Sequence, residues 1–241
     1  MKIIYASDSM MAHQIMLKLS YLLYSNIIMT HYLNTPLTTA NLGNNVPRRH
    51  GKFTQKLAKN FNRMVGWRIV GEVANLKKAV LIGAPHTSNF DGVYTLPLLI
   101  ELDIDIKILG KKELFTIPIL SHFLKWAGVI AIDRQKKGST LKASVDKFHT
   151  SERLFLALAP EGTRSYTDTW KTGFYYLALE AGVPIIPVAL DYKTREIRFM
   201  TAFYPTGDIE ADLPKLYAYY QGVQGKNHKN MSKPLQDLFH T

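Results

Sequence analysis

Short apolar runs alternate with longer segments of helical periodicity along most of the chain. An apolar run of four to eight residues between Gly, Pro or polar turn residues is typical of a buried strand. Such runs predict strands over residues 67–70, 79–83, 104–109, 128–132, 153–159, 183–190 and 196–204; helical patterns cover 52–65, 88–101, 117–127, 139–150, 172–181 and the chain from 208 onward. The alternation predicts a single α/β domain in which helices flank a mostly parallel central sheet.

The first 47 residues are expected to stand apart from this domain, which we take as 48–241. Residues 1–33 predict an N-terminal helical extension, and residues 34–47, rich in Asn, Thr, Gly and Pro, predict a linker. The most apolar long stretch, 10–33, carries His, Gln, Lys and Asn residues, so it is a poor candidate for a membrane span of about 20 mostly apolar residues. A segment that lies on a surface or pairs with another helix is expected instead. The start of the chain also lacks the long apolar core of a signal peptide.

The helix predicted over 52–65 is basic and amphipathic. Four basic residues form one narrow stripe and the apolar residues lie on a different side: Lys52, Lys56, Lys59 and Arg63 against Phe53, Leu57, Phe61, Met64 and Val65. One interpretation is attachment to an anionic membrane surface, where each basic residue adds about 1 kcal/mol. The other is an ordinary surface helix with its apolar side on the core.

Prolines and the last segment give three further expectations. Pro97 should kink or end the helix that starts near Ser88. Pro184 and Pro187 should mark an edge strand or an irregularly paired one. The chain after Asp208 should be helical and fray towards a polar tail.

Composition narrows the class of protein. The chain has 241 residues, 46 % of them hydrophobic, which suffices for one sizeable core. Its net charge of +11 favours an anionic partner, either nucleic acid, a membrane surface or a phosphorylated substrate. The chain has no cysteine, which excludes disulfides, thiolate nucleophiles and zinc–thiolate sites and fits a reducing compartment.

The segment from His86 to Asp91 is the first candidate for chemistry. It follows an apolar strand at the carboxyl end of the predicted sheet, where open α/β sheets place their ligand crevices. A carboxylate on one imidazole nitrogen fixes the tautomer and leaves the other nitrogen free to accept a proton. Ser88 and Asp91 also fit a helix capping box, so capping with a chance histidine remains an alternative to general-base catalysis.

Polar turns with basic residues follow three other strands and predict an anion site at the same edge. Arg and Lys suit a phosphate, and Gly162 permits close approach of the backbone. For any one of these cations alone, a solvated surface charge is the better explanation, but it explains four basic positions at one predicted edge less well. The candidates are Lys111 and Lys112 after one strand, Arg134 after the next and Arg164 after the third.

Other chemistries find little support in the sequence. We see no G-x-S-x-G elbow, no H-E-x-x-H motif, no P-loop and no G-x-G-x-x-G, and the remaining histidines show no metal-ligand spacing. We therefore expect no metal site. Nucleic-acid binding would rest on net charge alone, because no reader motif is visible, and we expect none.

Between Trp67 and Leu190 the chain resembles the glycerolipid acyltransferase family of the lysophosphatidic acid acyltransferase type. The motifs that carry the resemblance occur in the family's order. They are His86-Thr87-Ser88-Asn89-Phe90-Asp91, Lys111-Lys112-Glu113-Leu114, Gly128-Val129-Ile130-Ala131-Ile132-Asp133-Arg134, Pro160-Glu161-Gly162-Thr163-Arg164-Ser165 and Val183-Pro184-Ile185-Ile186-Pro187-Val188.

The resemblance implies acyl transfer from a thioester donor, acyl-CoA or acyl-ACP, to the free hydroxyl of 1-acylglycerol 3-phosphate in phospholipid biosynthesis, with no further cofactor. It implies His86 as general base and Asp91 as its orienting group. For the acceptor phosphate it implies Arg164, Arg134 and Lys111, in a site shaped by Glu161, Gly162 and Thr163. The expected partners are a lysophospholipid, the donor and an anionic membrane surface, for a peripheral protein at the cytoplasmic face.

Alternatives remain at this point. Another lysophospholipid or glycerol 3-phosphate could be the acceptor, or the chain could be a basic lipid-binding protein without turnover. Ala131 and Ala159 stand where the family often has a larger residue. If both face one pocket, that pocket is wider than usual.

Overall fold

A computed structural model describes residues 35–132 and 137–239 of the chain. In these residues seven strands form one sheet in the order β1-β7-β6-β2-β5-β3-β4. The strands are β1 (Arg68–Gly71), β2 (Lys78–Ala84), β3 (Ile106–Lys111), β4 (Val129–Ile132), β5 (Leu154–Leu158), β6 (Ile185–Asp191) and β7 (Glu196–Phe199). The helices are α1 (Lys52–Val65), α2 (Phe90–Glu101), α3 (Pro118–Trp126), α4 (Lys137–Thr150), α5 (Gly173–Ala181), α6 (Ile209–Ala218) and α7 (Lys233–Asp237).

The sheet is mostly parallel, as the alternation of strands and helices predicts. Strand β2 pairs in parallel with β5 and β6, and β3 pairs in parallel with β5 and β4. Only β7 and β1, which pair with each other in parallel, run against the rest, through the antiparallel pairing of β7 with β6. The carboxyl ends of β2 to β6 therefore lie along one edge, and the central position of β2 places the loop after it in the middle of that edge.

The core lies on both faces of the sheet because successive side chains of a buried strand point to opposite faces. On one face Val80 and Ile82 of β2 pack with residues of α5 and α6, such as Phe174 and Leu216. On the other face Leu81 packs with α2 and with the first strand. A strand covered on both faces has to be a continuous apolar run, which explains the pattern of β2.

Residues 35–47 are folded against the domain, which differs from the linker that the composition suggested. The N–H of Leu37 donates to the carbonyl of Ile69 at 2.9 Å, and the N–H of Gly71 donates to Thr35 at 3.0 Å. Leu37 and Val46 are buried in the core. Asn, Thr and Gly here supply turns within a packed segment. The extension predicted over 1–33 lies outside the described residues.

The structure contradicts one half of each proline expectation: the helix end at Pro97, and the edge position of the strand that carries Pro184 and Pro187. Helix α2 continues through Pro97 to Glu101, because Leu98 and Leu99 bury its last turn in the core and offset the lost hydrogen bond. Strand β6 is not an edge: it lies between β2 and β7. The proline carbonyls still accept backbone hydrogen bonds: that of Pro187, in β6, from the N–H of Met200, and that of Pro184, directly before β6, from the N–H of Val80.

The chain after Asp208 also differs from the fraying helix that we expected. Asp208 does cap α6, accepting from the N–H of Ala211 at 3.1 Å, but the helix ends at Ala218. Beyond it the chain is mostly non-helical and returns to the domain, with Val223, Met231 and Ser232 fully buried. We call residues 223–232 the C-terminal strap.

Within the described residues, no helix combines the length and the apolar character that crossing a membrane requires.

Candidate active site

The loop that carries His86 leaves the sheet at the carboxyl end of β2, through a cis Ala84–Pro85 peptide bond. Asp91 lies in the first turn of α2, and one of its oxygens, Oδ2, accepts hydrogen bonds from the N–H groups of Thr87 at 2.9 Å and Ser88 at 3.0 Å. These bonds fold the loop back over the start of the helix and satisfy two otherwise free backbone donors. Asp91 thus makes its own half of the predicted capping box, by accepting from the N–H of Ser88, whereas Asn89 is the N-cap of α2 and makes no side-chain capping bond.

The same carboxylate also holds the imidazole. Nδ1 of His86 lies 2.9 Å from Oδ2 of Asp91, whose side chain is 4 % exposed, whereas that of His86 is 26 % exposed. A carboxylate only accepts hydrogen bonds, so Nδ1 carries the proton and Nε2 is left as the basic nitrogen. The two interpretations of the motif are compatible, because one buried carboxylate both starts the helix and fixes the tautomer of His86.

Glu161 ties the loop after β5 to the loop after β2. Its Oε2 accepts the backbone N–H of His86 at 2.5 Å, and its Oε1 accepts the hydroxyl of Ser232 at 3.1 Å. Burial raises the pKa of Glu161, and the hydrogen bonds from His86 and Ser232 act against that rise. Both of its oxygens therefore bond groups of the protein. Glu161 shapes the site by holding the His86 backbone, and neither oxygen is left for a substrate.

The residues after Glu161 form a tight, partly exposed turn. Gly162 has a φ of +65°, a left-handed conformation that favours glycine. A Cβ at this position would lie 2.6 Å from Cε of Lys171, so that flexible side chain would have to move. The hydroxyl of Thr163 accepts from the N–H of Ser165 at 3.1 Å. Arg164 is exposed and makes no ion pair with the described part of the chain.

Of the other two cations predicted for the phosphate, Lys111 lies two strands away from β2 and Arg134 lies outside the described residues. Lys111 ends β3, which β5 separates from β2, and its Nζ is 3.9 Å from the carboxylate of Glu113. It therefore belongs to the same edge of the sheet, but no direct contact joins it to the imidazole. Arg134 lies outside the described residues.

Ala131 and Ala159 occupy different strands of this half of the sheet. Ala131 is exposed on the edge strand β4, and Ala159 is half-buried directly after β5. Strand β3 lies between them. Whether the two face one pocket stays a prediction.

Three residues that we did not single out from the sequence complete the site. Tyr192, after β6, donates its hydroxyl to Oδ1 of Asp91 at 2.7 Å. Asn227 donates its side-chain amide to the carbonyl of Thr87 at 3.0 Å and its backbone N–H to the hydroxyl of Thr87 at 3.2 Å. Ser232 holds Glu161 and accepts the indole N–H of Trp170 at 3.0 Å.

The strap also brings a cation to the site. Nζ of Lys226 lies 3.4 Å from the ring centroid of Phe90, within the range of a cation–π contact. Within the described residues, no group of three or more His, Asp or Glu side chains is placed to hold a metal ion.

Comparison with known proteins places these residues in a family. A family model described as Acyltransferase matches residues 59–191. The 1-acyl-sn-glycerol-3-phosphate acyltransferase of Salmonella typhimurium is 31 % identical over 153 residues, covering 61 % of this chain and 60 % of that protein. The protein of the same name from Saccharomyces cerevisiae is 30 % identical over 131 residues, covering 51 % of this chain and 42 % of the relative.

Among solved structures, the 1-acyl-sn-glycerophosphate acyltransferase from Thermotoga maritima aligns with 68 % of this chain and 73 % of its own, at 21 % identity and a TM-score of 0.48. The match with the Salmonella protein spans 60 % of that relative's length. The family model itself covers more than half of this chain and includes His86, Asp91 and the turn at Glu161. The chain therefore belongs to the acyltransferase family.

Proposed function

We propose that this protein is an O-acyltransferase that moves a fatty acyl group from a thioester to the free hydroxyl of 1-acylglycerol 3-phosphate, giving phosphatidic acid. The observation that carries the proposal is the pairing of the partly exposed His86 with the buried Asp91 at 2.9 Å. The names of the relatives from Salmonella typhimurium and Saccharomyces cerevisiae support the choice of acceptor.

The step requires one base. Nε2 of His86 accepts the proton of the acceptor hydroxyl while its oxygen attacks the thioester carbonyl carbon. A C–O bond forms, the C–S bond breaks, and the proton leaves with the thiolate as a free thiol. Asp91 stabilises the imidazolium that exists in between, and a positioned base of this kind contributes about 10²–10⁴ in rate.

Direct attack fits the residues of the site better than an acyl-enzyme. The chain has no cysteine, and Ser88, the serine nearest to His86 in the motif, is 9 % exposed and accepts the N–H of Phe90 through its hydroxyl. The remaining rate acceleration then comes from aligning the two bound substrates, for which effective molarities reach about 10⁵–10⁸ M. No resident cofactor is needed, because the donor, acyl-CoA or acyl-ACP, carries the activated carbonyl.

The acceptor phosphate is assigned to the basic turns along the same edge. The carboxylate of Glu161 accepts the backbone N–H of His86, so the loop after β5 lies next to the base. Arg164 is in the same loop, three residues after Glu161, and is exposed. A planar guanidinium can bind two phosphate oxygens at once. Lys111 and Arg134 remain the further candidates, with Gly162 and Thr163 shaping the turn that carries Arg164.

We further propose that α1 attaches the protein peripherally to an anionic membrane surface, at its cytoplasmic face. The side of α1 that packs on the domain contains Ala58 and Asn62, whereas Phe53 and Met64 are 80 % and 77 % exposed. Leu57 is also exposed, whereas Phe61 is half-buried and Val65 packs against the core, so one part of the apolar side is free to meet lipid. The four exposed basic residues of the neighbouring stripe supply the attraction to anionic lipid: Lys52, Lys56, Lys59 and Arg63.

The test is an acceptor and donor panel with the purified full chain. Release of free thiol is followed with palmitoyl-CoA or palmitoyl-ACP and with lysophosphatidic acid, lysophosphatidylcholine or glycerol 3-phosphate, and the product is identified by mass spectrometry. His86→Ala should lose at least 100-fold in kcat. His122→Ala is the matched control, because that imidazole is exposed on α3 and its hydrogen bond within the described residues is a local one, to the carbonyl of Pro118.

Phosphatidic acid formed by the wild type and by His122→Ala, but not by His86→Ala, supports the proposal. Preference for a different acceptor would overturn the assigned substrate but keep the chemistry. Absence of thiol release with every pair, in protein that still binds lysophosphatidic acid vesicles, would favour a lipid-binding protein without turnover.

A further inference from the structure

The carboxylate that orients His86 is itself oriented by a tyrosine outside the catalytic motif. Oδ2 of Asp91 is occupied by His86 and by two backbone donors of the loop, but Oδ1 receives a single described bond, from the hydroxyl of Tyr192 at 2.7 Å. The two residues are 101 positions apart in the chain. They meet because α2 and the turn after β6 border the same end of the sheet.

Tyr192 is held by a cluster of aromatic rings. Its ring meets Trp67 edge-on at 5.0 Å between centroids and Tyr94 at 6.0 Å, while Trp67 and Tyr94 stack at 4.7 Å. The backbone N–H of Tyr192 also donates to the carbonyl of Gln224 at 2.8 Å. Two neighbouring rings hold the tyrosine ring and one hydrogen bond holds its backbone, so the hydroxyl is already directed at Asp91.

Burial, and then the hydrogen bond to Asp91, raise the pKa of Tyr192 well above its ordinary value of 10.0. The hydroxyl thus keeps its proton throughout the pH range in which an acyl thioester is stable, and remains a donor. A donor on Oδ1 withdraws negative charge from the carboxylate and prevents its rotation about the Cβ–Cγ bond. Both effects are passed on to the imidazole at Oδ2.

We propose that Tyr192 is a positioning residue for catalysis, which acts through Asp91 to fix the orientation of His86 and to limit how strongly the imidazole holds a proton. This role rests on the proposed function of His86 as general base. It extends the pair to a line of three groups, Tyr192, Asp91 and His86, that joins three segments of the fold.

Two other charged side chains of the described residues lie close to the loop that carries His86. The carboxylate of Glu161 faces the His86 backbone, and Lys226 of the strap lies over the ring of Phe90. Neither touches Oδ1 of Asp91. A change at the Tyr192 hydroxyl therefore alters one neighbour of the pair and leaves the other charges in place.

The test is Tyr192→Phe, which removes the hydroxyl and keeps the ring. We expect kcat to fall about tenfold with KM unchanged, because one bond to a charged group is lost and none to substrate. The acid limb of the kcat/KM–pH profile should move to higher pH by about half a unit, since a less neutralised Asp91 favours the imidazolium. Tyr94→Phe, in the same ring cluster, is the matched control and should leave kcat and the profile as in the wild type.

A double-mutant cycle separates positioning from packing. In an Asp91→Asn background, Tyr192→Phe should cause no further loss of kcat, because the path to the imidazole is already broken. A purely structural role would give the same loss in both backgrounds and would overturn the proposal. An unchanged kcat and an unchanged acid limb in the single variant would overturn it as well.

One readout does not depend on turnover. The titration of the His86 imidazole, followed by ¹H–¹⁵N NMR without substrate, should shift to higher pH in Tyr192→Phe and not in Tyr94→Phe. If that shift is seen in a protein that transfers no acyl group, the proposed function fails while the coupling stands. If the wild type is active but Tyr192→Phe shifts neither the NMR titration of His86 nor the acid limb of the pH profile, the coupling is wrong and the proposed function stands.

Discussion

Ser232 links the C-terminal strap to Glu161 in the loop after β5, and replacing it with alanine should destabilise the fold measurably. Its hydroxyl is fully buried, donates to Oε1 of Glu161 at 3.1 Å and accepts the indole N–H of Trp170 at 3.0 Å. The substitution to alanine removes both bonds with little change in volume. It leaves a buried indole donor unpaired and a buried carboxylate with one donor fewer.

The two losses set the size of the effect. An unpaired buried polar group costs about 1–3 kcal/mol and a bond to a charged group is worth about 1.5–3 kcal/mol. Since the Glu161 carboxylate keeps the bond from the His86 N–H, we expect a net loss of about 3 kcal/mol rather than the full sum. For a chain of this size that corresponds to a decrease in Tm of about 6–12 °C.

The assay is urea unfolding of the full chain, followed by tryptophan fluorescence and far-UV circular dichroism. The midpoint should fall at an unchanged slope m, the signature of a pure stability change. Ser144→Ala is the matched control, because that hydroxyl donates to the Thr140 carbonyl one turn earlier in α4, a bond within a single helix. It should leave the free energy of unfolding within about 0.5 kcal/mol of the wild type.

A Ser232→Ala protein as stable as the Ser144→Ala protein would refute the reasoning. It would mean that Glu161 and Trp170 find other partners at no cost, and that the Ser232 contact of the strap does not stabilise the fold.

Three other expectations can be checked with standard assays. Asp212→Asn should lower the unfolding free energy at pH 7 by about 2–4 kcal/mol, because its buried carboxylate bonds Tyr175, Thr206 and Lys215. Burial raises the pKa of Asp212, but its hydrogen bonds bring it to about 2 from 3.8, so in urea titrations this stability should be complete above pH 3.8 and disappear as the pH falls through 2. Changing the four basic residues of α1 to Gln should weaken sedimentation with phosphatidylglycerol vesicles by about 100-fold or more, and binding independent of these charges would contradict the membrane proposal. Ala131→Phe with Ala159→Phe should narrow the range of accepted acyl chains in the thiol assay, and an unchanged chain-length profile would remove the wide-pocket idea.

The order of strands and helices could be predicted because each strand of this sheet carries its own signal. Strand β2 is buried on both faces, so its sequence is continuously apolar and ends abruptly where the loop begins. Gly182 adopts a left-handed conformation and ends α5, as its position in the sequence indicates. These features depend on residues close in sequence, which pattern analysis detects.

The errors arose where distant packing outweighed a local preference. Pro97 lowers the stability of a helix by about 3 kcal/mol in isolation, but the buried Leu98 and Leu99 keep the chain helical to Glu101. The composition of 35–47 is that of a linker, yet Leu37 and Val46 are buried and hold it against the sheet. No local pattern reports which partner such residues meet.

The core of the site was partly predictable. The His86–Asp91 pair follows from a short motif at a strand end, whereas its supports do not. Tyr192, Asn227 and Ser232 lie 101, 140 and 71 residues from the groups they bond. A tyrosine after a strand, or a polar residue in a C-terminal segment, carries no signal of that contact in a single sequence.

The central claim is that the imidazole of His86 removes the proton of the acceptor hydroxyl. It is tested most directly by the single-turnover rate of thiol release from palmitoyl-CoA, measured for wild type and for folded His86→Ala with lysophosphatidic acid at saturation. The account predicts a rate at least 100-fold lower in the variant, and a wild-type rate that depends on the acceptor. A variant within tenfold of the wild type, or thiol release that needs no acceptor, would contradict it.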